Sequence, residues 1–456
     1  AGSRIDQAGA ITTPRGQTVL AAGADVYLKP PYSAVLRGFT AEVNPLYVVN
    51  GWNAGKWQAI SRGADANSIT QSGTISSPFG DIALVASDIV QAGTLSASTS
   101  VTSNGSIHLA ARDQVADKGL ADDKALADGY IRKRDIQSGK ILPIDAVVDG
   151  ENESILTGLT GGRLTLAAGS KTEVALDGSN RRTVTADQVF LASTIEATAA
   201  NIVVAGKDGT TPGAAVTARG GKIYLNARET FGNGTQFASD ALSITPTTQP
   251  GAASVFIGGG ATLDASGAVA SKSVADLFIE VELRGDEFAN NPVQRNGKLR
   301  GQKANVDIRD KVAIADLSGY INKLGQTLEE RAAAGGDISV RSGGSVIVKQ
   351  DAMLDVSGGR VDYAAATVQE TRAYTRGGQT YRLNDAPADL TFSGLITKTR
   401  AEAAYTEGKS AGSVELNAHS IALGGELRGA TTRGERQRNM GNPATDRSAI
   451  PLDAKL

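Results

Sequence analysis

One five-residue word recurs through the chain: glycine, any residue, an aliphatic, any residue, an aliphatic. It stands as Gly80-Asp81-Ile82-Ala83-Leu84, Gly105-Ser106-Ile107-His108-Leu109 and Gly162-Arg163-Leu164-Thr165-Leu166. It returns as Gly221-Lys222-Ile223-Tyr224-Leu225, Gly336-Asp337-Ile338-Ser339-Val340 and Gly412-Ser413-Val414-Glu415-Leu416. A period of two places the aliphatics on one face of a strand and the polar residues on the other. The glycine opens each strand where the chain turns a corner, often with positive φ. After the first step, Gly80 to Gly105, the spacings lie close to multiples of roughly 19–20 residues, a solenoid period. Shorter words with the same alternation lie between them, such as Asn201-Ile202-Val203-Val204-Ala205 and Ser345-Val346-Ile347-Val348-Lys349. Two or three short strands in about 20 residues describe one coil of an all-β, right-handed parallel β-helix. At that period the chain holds some 15 to 20 coils, a rod on the order of 70–100 Å long. A β-sandwich or barrel is the alternative, and the scarcity of Asn-Gly hairpin turns weighs against it.

Composition agrees with a narrow solenoid interior. The 456 residues are 41% hydrophobic but only 5% aromatic, with Gly 54 and Cys 0. Without cysteine there are no disulfides, thiolate nucleophiles or Cys-ligated metals. With 46 basic and 48 acidic residues, net charge −2, there is no electrostatic case for nucleic acid or an anionic membrane as partner. No apolar run approaches the roughly 20 residues of a membrane span. Residues 1–456 therefore read as β-helix shaft, an interior or processed piece of a longer chain, since neither an initiator Met nor a signal-peptide pattern opens it.

Three stretches break the rhythm. Residues 112–140 are charged and rich in Ala and Leu, a helical or mobile insertion at a corner. Residues 316–334 place Leu317, Ile321, Leu324 and Leu328 on one stripe, predicting an amphipathic helix packed outside the solenoid. Residues 397–411 look like a third, weaker excursion. Segment 26–60 is the sharpest anomaly, holding Tyr32, Tyr47, Trp52 and Trp57 among other rings and prolines. Such rings can stack on glycan faces, or they can form a small private core under an extra-helical lobe, and packing is the preferred reading.

Catalysis on a β-helix needs carboxylates with basic partners on adjacent coils of one face. Asp81, Asp337 and Glu415 occupy equivalent strand positions, and Asp264 and Asp355 sit in the twin words Leu263-Asp264-Ala265-Ser266-Gly267 and Leu354-Asp355-Val356-Ser357-Gly358. At the counted period all of these fall on distant coils, where an Asp at a corner accepts backbone N–H bonds. His108 and His419 are far apart in sequence and expected at the surface, which supplies neither a triad nor a zinc site. No catalytic residue, metal site or cofactor is expected. Arg284-Gly285-Asp286 spells an integrin-type tripeptide, a motif short enough to arise by chance.

Residues 286–359 carry a more specific order of words. They run Asp286-Glu287-Phe288-Ala289, Asn291-Pro292-Val293-Gln294-Arg295, Leu299-Arg300-Gly301-Gln302 and Val306-Asp307-Ile308-Arg309, ending in Leu354-Asp355-Val356-Ser357-Gly358-Gly359. This order resembles the large two-partner-secreted exoproteins of the filamentous haemagglutinin family. The resemblance covers about a sixth of the chain and implies a shaft region threaded through an outer-membrane secretion partner to the bacterial surface or extracellular matrix. On that reading the protein is a structural segment of an adhesin or matrix fibre that works by multivalent presentation. Host or bacterial glycans or proteins would be its partners, and end-to-end self-association would build filaments. A stalk for a toxin or effector domain elsewhere in the chain, or a β-helical polysaccharide-degrading enzyme, are the alternatives.

Overall fold

The computed structural model describes residues 4–23, 25–29, 40–44, 49–53, 56–59, 67–114, 159–178, 182–185, 188–228, 230–231, 252–309, 311–443 and 446–456. The described chain is mostly β, organised around three long parallel sheets. It visits them in turn, one strand to each, then begins the next circuit. The first sheet stacks Arg4–Gln7, Ser68–Gln71, Asp88–Gln91, Arg163–Leu166, Asn201–Val204, Ser254–Ile257, Ser345–Val348 and Ser420–Leu423. The second stacks Ala10–Thr12, Thr74–Ser77, Thr94–Thr99, Lys171–Leu176, Ala215–Thr217, Thr262–Asp264, Met353–Asp355 and Glu426–Arg428. The parallel run of the third holds Gln17–Ala21, Asp81–Ala86, Ser106–Gln114, Thr194–Ala199, Lys222–Ala227, Asp337–Ser342 and Ser413–Asn417, and Lys455 bridges to Ser413 at its end.

Alternation becomes register. In the first sheet Ile5, Ile69, Ile89, Leu164, Ile202, Val255, Val346 and Ile421 are successive ladder partners. In the third, Ile82, Ile107, Ile195, Ile223, Ile338 and Val414 do the same. Residues from all three sheets meet in one core, and Ile69, Ile75, Leu84, Leu109, Leu225 and Leu263 are wholly enclosed in it. Burying each such side chain contributes about 1.5–3 kcal/mol. One inner column changes character along the stack: Gln7, Gln71 and Gln91 precede Leu166, Val204, Ile257 and Val348. Gln71 donates to Gln7 at 3.1 Å and to the Gly73 carbonyl at 2.7 Å, so the amides bond along the stack.

The circuit count corrects the spacing. Ser68 pairs with Asp88, so the tightest circuit takes about 20 residues, as the period implies. Asp88 then pairs with Arg163, and Ser254 with Ser345, so most steps between words are single circuits swollen by excursions. Among the described residues eight circuits result, about 38 Å of stack at the spacing of neighbouring strands, roughly half the expected length. Five of the six glycine words lie in the third sheet, while Gly162-Arg163-Leu164-Thr165-Leu166 belongs to the first. These six glycines are absent from the positive-φ set, and what the five of the third sheet supply is space. A Cβ on Gly336 would overlap the carbonyl oxygen of Gly221, and one on Gly412 that of Gly336.

Large excursions open at the ends of third-sheet strands. In the earlier circuits they follow the strand. The antiparallel pair Asp25–Lys29 and Thr40–Asn44 packs Ala41 and Val43 against Val85 and Ala110 on the sheet's outer face. This small cluster is aliphatic and includes none of the rings of segment 26–60. Insertion 112–140 lies outside the described residues beyond Gln114. In the later circuits the excursions precede the third-sheet strand, at residues 265–336, 356–412 and 429–453, and the first two share a second core around Phe288, Leu299, Val306 and Phe392.

Residues 316–334 do not form one helix. Ser318–Ile321 and Leu328–Arg331 are separate single turns with Gly325–Gln326 between them, paired antiparallel to Val184–Thr185. Thr327 and Glu330 form a capping box that restarts the helix. The apolar stripe is split accordingly: Leu317 enters the Phe288 core, Leu328 packs with Val101 and Val184, and Ile321 stays 38% exposed. Residues 397–411 hold most of the β-strand Gly394–Glu402 and all of Tyr405–Gly408, in the second of the two excursions that share the Phe288 core and form one lobe.

Gly336→Ala should lower the unfolding free energy by about 1–3 kcal/mol through overpacking. Gly9→Ala, where an added Cβ meets nothing within 4 Å, should stay within about 0.5 kcal/mol. Denaturant titration of the two variants checks the difference, and equal midpoints would contradict the close-approach role.

Candidate functional site

The integrin-type tripeptide lies in a braced turn. Glu287 accepts from the backbone N–H groups of Arg284 at 2.8 Å and Gly285 at 3.2 Å, and Phe288 anchors the segment in the lobe core. Arg284 and Asp286 are exposed, but the Arg284 guanidinium bonds Glu282 at 2.8 Å, which holds its pKa above the ordinary value. Both side chains line the same 420 Å³ concavity with Tyr320 and Lys323, so they converge on one hollow. Of the candidate glycan-stacking rings, Trp52 and Trp57 are register partners across the antiparallel strands Val49–Asn53 and Lys56–Ala59, with a bulge at Asn50/Trp52. Tyr32 and Tyr47 lie outside the described residues.

Three expectations about polar residues change. His108 is buried at 6% exposure, its Nδ1 3.5 Å from Glu196 Oε2, because the outer face of the third sheet is covered there. His419 is exposed. Asp264 and Asp355 are direct ladder partners on adjacent circuits, since the residues between them form an excursion. Their oxygens are engaged as corner residues: Asp264 accepts from Ser266 N at 2.9 Å, Asp355 from Ser357 N at 2.8 Å, and Arg219 lies 3.6 Å from Asp264. Asp337 and Glu415 also sit on neighbouring circuits, bonded to Ser413 and Arg341 respectively. Among the described residues no group of three or more His, Cys, Asp or Glu is placed to hold a metal ion.

The lobe carries the densest polar chemistry, and it was not singled out in the sequence. Arg309, only 6% exposed, bonds Asp307 at 2.5 Å and Glu402 at 2.9 Å. Its guanidinium sits 5.6 Å from the ring centroids of both Phe278 and Tyr405. Glu402 also receives Arg400 and Arg436, the latter at 2.8 Å. Buried Glu370 gathers Arg372, Arg382 and Arg400 at 3.2–3.4 Å. Tyr363 and Tyr405, cross-strand partners, stack at 4.7 Å between centroids. Buried Glu407 takes Lys409 at 2.5 Å, with Arg447 3.9 Å away. With Asp385 beside Arg382, the described ion pairs form two groups, five basic with four acidic side chains around Glu402 and Glu370, and two basic with one acidic around Glu407.

Besides Arg436 and Arg447, one uncharged side chain ties the third excursion to this network. Gln437 Oε1 accepts from the N–H groups of Gly408 at 2.9 Å and Gly434 at 2.8 Å, while its Nε2 donates to the Gly408 carbonyl at 2.9 Å. The junction leaves a pocket of about 310 Å³ lined by Arg309, Tyr405, Thr406, Glu407, Glu435, Arg436, Gln437, Arg438, Arg447 and Ser448. Burial opposes charge on Glu402, but hydrogen bonds from Arg309 and Arg400 outweigh it and hold the carboxyl below its ordinary range. Burial, reinforced by the Glu407 charge, pushes the Tyr405 hydroxyl up to about 12. A signal for this network stands in the sequence: Asp307-x-Arg309, Glu370-x-Arg372, Arg400-x-Glu402 and Glu407-x-Lys409 each put opposite charges two residues apart, the middle two on one face of a strand and the others across a strand end.

Comparison of the chain with protein-family models, with curated proteins and with solved structures found no match.

The ionisations fix a pH window for the lobe. Glu402 is depressed in the folded state, so its contribution is present above its ordinary value near 4.5 and fades as pH falls through the lower folded value. Tyr405 is raised, so above pH 10 the unfolded chain loses its proton first and stability falls towards about 12. Glu402→Gln should cost about 3–5 kcal/mol at neutral pH by leaving buried Arg309 underpaired, and should flatten the acid limb. Denaturant unfolding followed from pH 3 to 8 reads both, and an unchanged acid limb would contradict the assignment.

Proposed function

We propose that the three sheets close on one another as a right-handed parallel β-helix, and that this helix is a structural segment of a secreted bacterial adhesin or matrix fibre. The observation that carries the reading is the register: eight circuits share one core, and their larger excursions all flank the third sheet. A stack of this kind displays its lobes along one side at fixed height, a geometry suited to multivalent attachment. Right-handed crossover is the rule where parallel strands of one sheet are joined. Ile421 and Leu423 occupy inward columns on the last circuit and are each 45% exposed, the surface that a further circuit or a second copy would cover. The word order of residues 286–359, which builds the lobe before returning to the sheets, supports secretion to the cell surface through an outer-membrane partner.

Beads coated with the purified chain at graded density test the attachment reading. Adhesion to bacterial or host cells should rise more steeply than coating density, with an avidity gain on the order of 10²–10⁴. Absence of attachment at every density, or a strictly proportional rise, would count against it.

A further inference from the structure

We propose that the pocket at the junction of the second and third late excursions binds a small hydroxylated carboxylate, one sugar-acid unit in size. Arg436, Arg438 and Arg447 line its wall, and the ion-pair network behind them holds more basic than acidic groups. Arg447 is the least committed of the three. It is 40% exposed and makes no close ion pair: Glu407 lies 3.9 Å away, already bonded by Lys409, and the charge of Glu330 also acts on it. Arg438 bonds the Glu435 carbonyl through Nε at 3.0 Å and is otherwise exposed. A guanidinium fork matches a planar carboxylate with two parallel hydrogen bonds, a geometry that lysine does not offer.

The rest of the lining selects the ligand. Glu407 and Glu435 share the wall with the arginines, so a dianionic phosphate would face two carboxylates. A singly charged acid carrying hydroxyls can set its carboxylate on the arginines and donate O–H groups to the glutamates. At 310 Å³ the pocket stands at the small end of ligand sites, room for one ring but not a chain of them. Ring stacking is not the means of recognition here. Tyr363 stacks on the Tyr405 ring, and the Arg436 guanidinium lies 5.0 Å from its centroid. A hexuronate fits these demands, either free or as a unit of an acidic polysaccharide.

The site stands apart from the fibre reading, because a chain that fails to attach to cells can still bind the acid. Calorimetric titration of the full chain with sodium glucuronate, glucose and inorganic phosphate tests it. Glucuronate should bind with a Kd on the order of 1 mM or tighter, while glucose and phosphate should bind at least about tenfold more weakly. Arg447→Gln should weaken glucuronate about tenfold or more, and Arg438→Gln should weaken it too, the latter with unchanged melting temperature. An oligoglucuronate that binds more tightly than the monomer identifies a polymer as the source, and equal binding identifies the free acid. No glucuronate binding, equal binding of glucose, phosphate binding as tightly, or indifference to both substitutions would overturn the proposal.

Discussion

Everything in this molecule depends on one constraint: a parallel strand can bury its inner face only in a core shared with the other two sheets and with the rungs above and below. The aliphatic columns meet that constraint rung by rung, with Ile69 on Ile89 and Ile223 on Ile338. Because side chains alternate with a period of two, a slip of one residue would turn the whole column outward. Register is therefore enforced at every rung by the same apolar burial that stabilises it. The glycine column serves the same end from the backbone, letting Gly221, Gly336 and Gly412 approach closely where a side chain would hold the rungs apart.

The lobe follows a different logic. Its apolar core, around Phe288 and Phe392, is supplemented by buried carboxylates that each gather two or three basic groups. Such pairs add little net stability over apolar packing, but they are costly to break and exacting in geometry. They act as fasteners between excursions distant in sequence: Asp307 and Arg309 lie on one, Glu370 and Glu402 on the next, Arg436 on the last. The surplus charge at their junction is what gives the pocket its chemistry.

Alternation of Leu, Ile and Val with polar residues made the strands, their inward faces and their parallel stacking legible from sequence, because that pattern is local. The number of circuits was not legible. Ser254 pairs with Ser345 and Ser68 with Asp88, and nothing in the strand words distinguishes a direct step from one carrying a whole lobe. The same blindness separated Asp264 from Asp355 and sent His108 to the surface, since covering layers come from remote segments. The arginine network was half visible. Opposite charges at two-residue spacing are local, but their convergence on Glu402 and Glu370 depends on strand pairing between excursions.

The unequal circuits have a consequence in chain entropy. Closing a loop costs free energy that grows only with the logarithm of its length, so the step from Ser254 to Ser345 costs about 1.3 kcal/mol more than the step from Ser68 to Asp88. A buried aliphatic or two in the inserted segment offsets that difference. A stack of this design can therefore accept a new lobe at any rung without losing its pitch, provided the lobe brings a small core of its own. The ladder measures height in strands, and is indifferent to how much chain is spent between them.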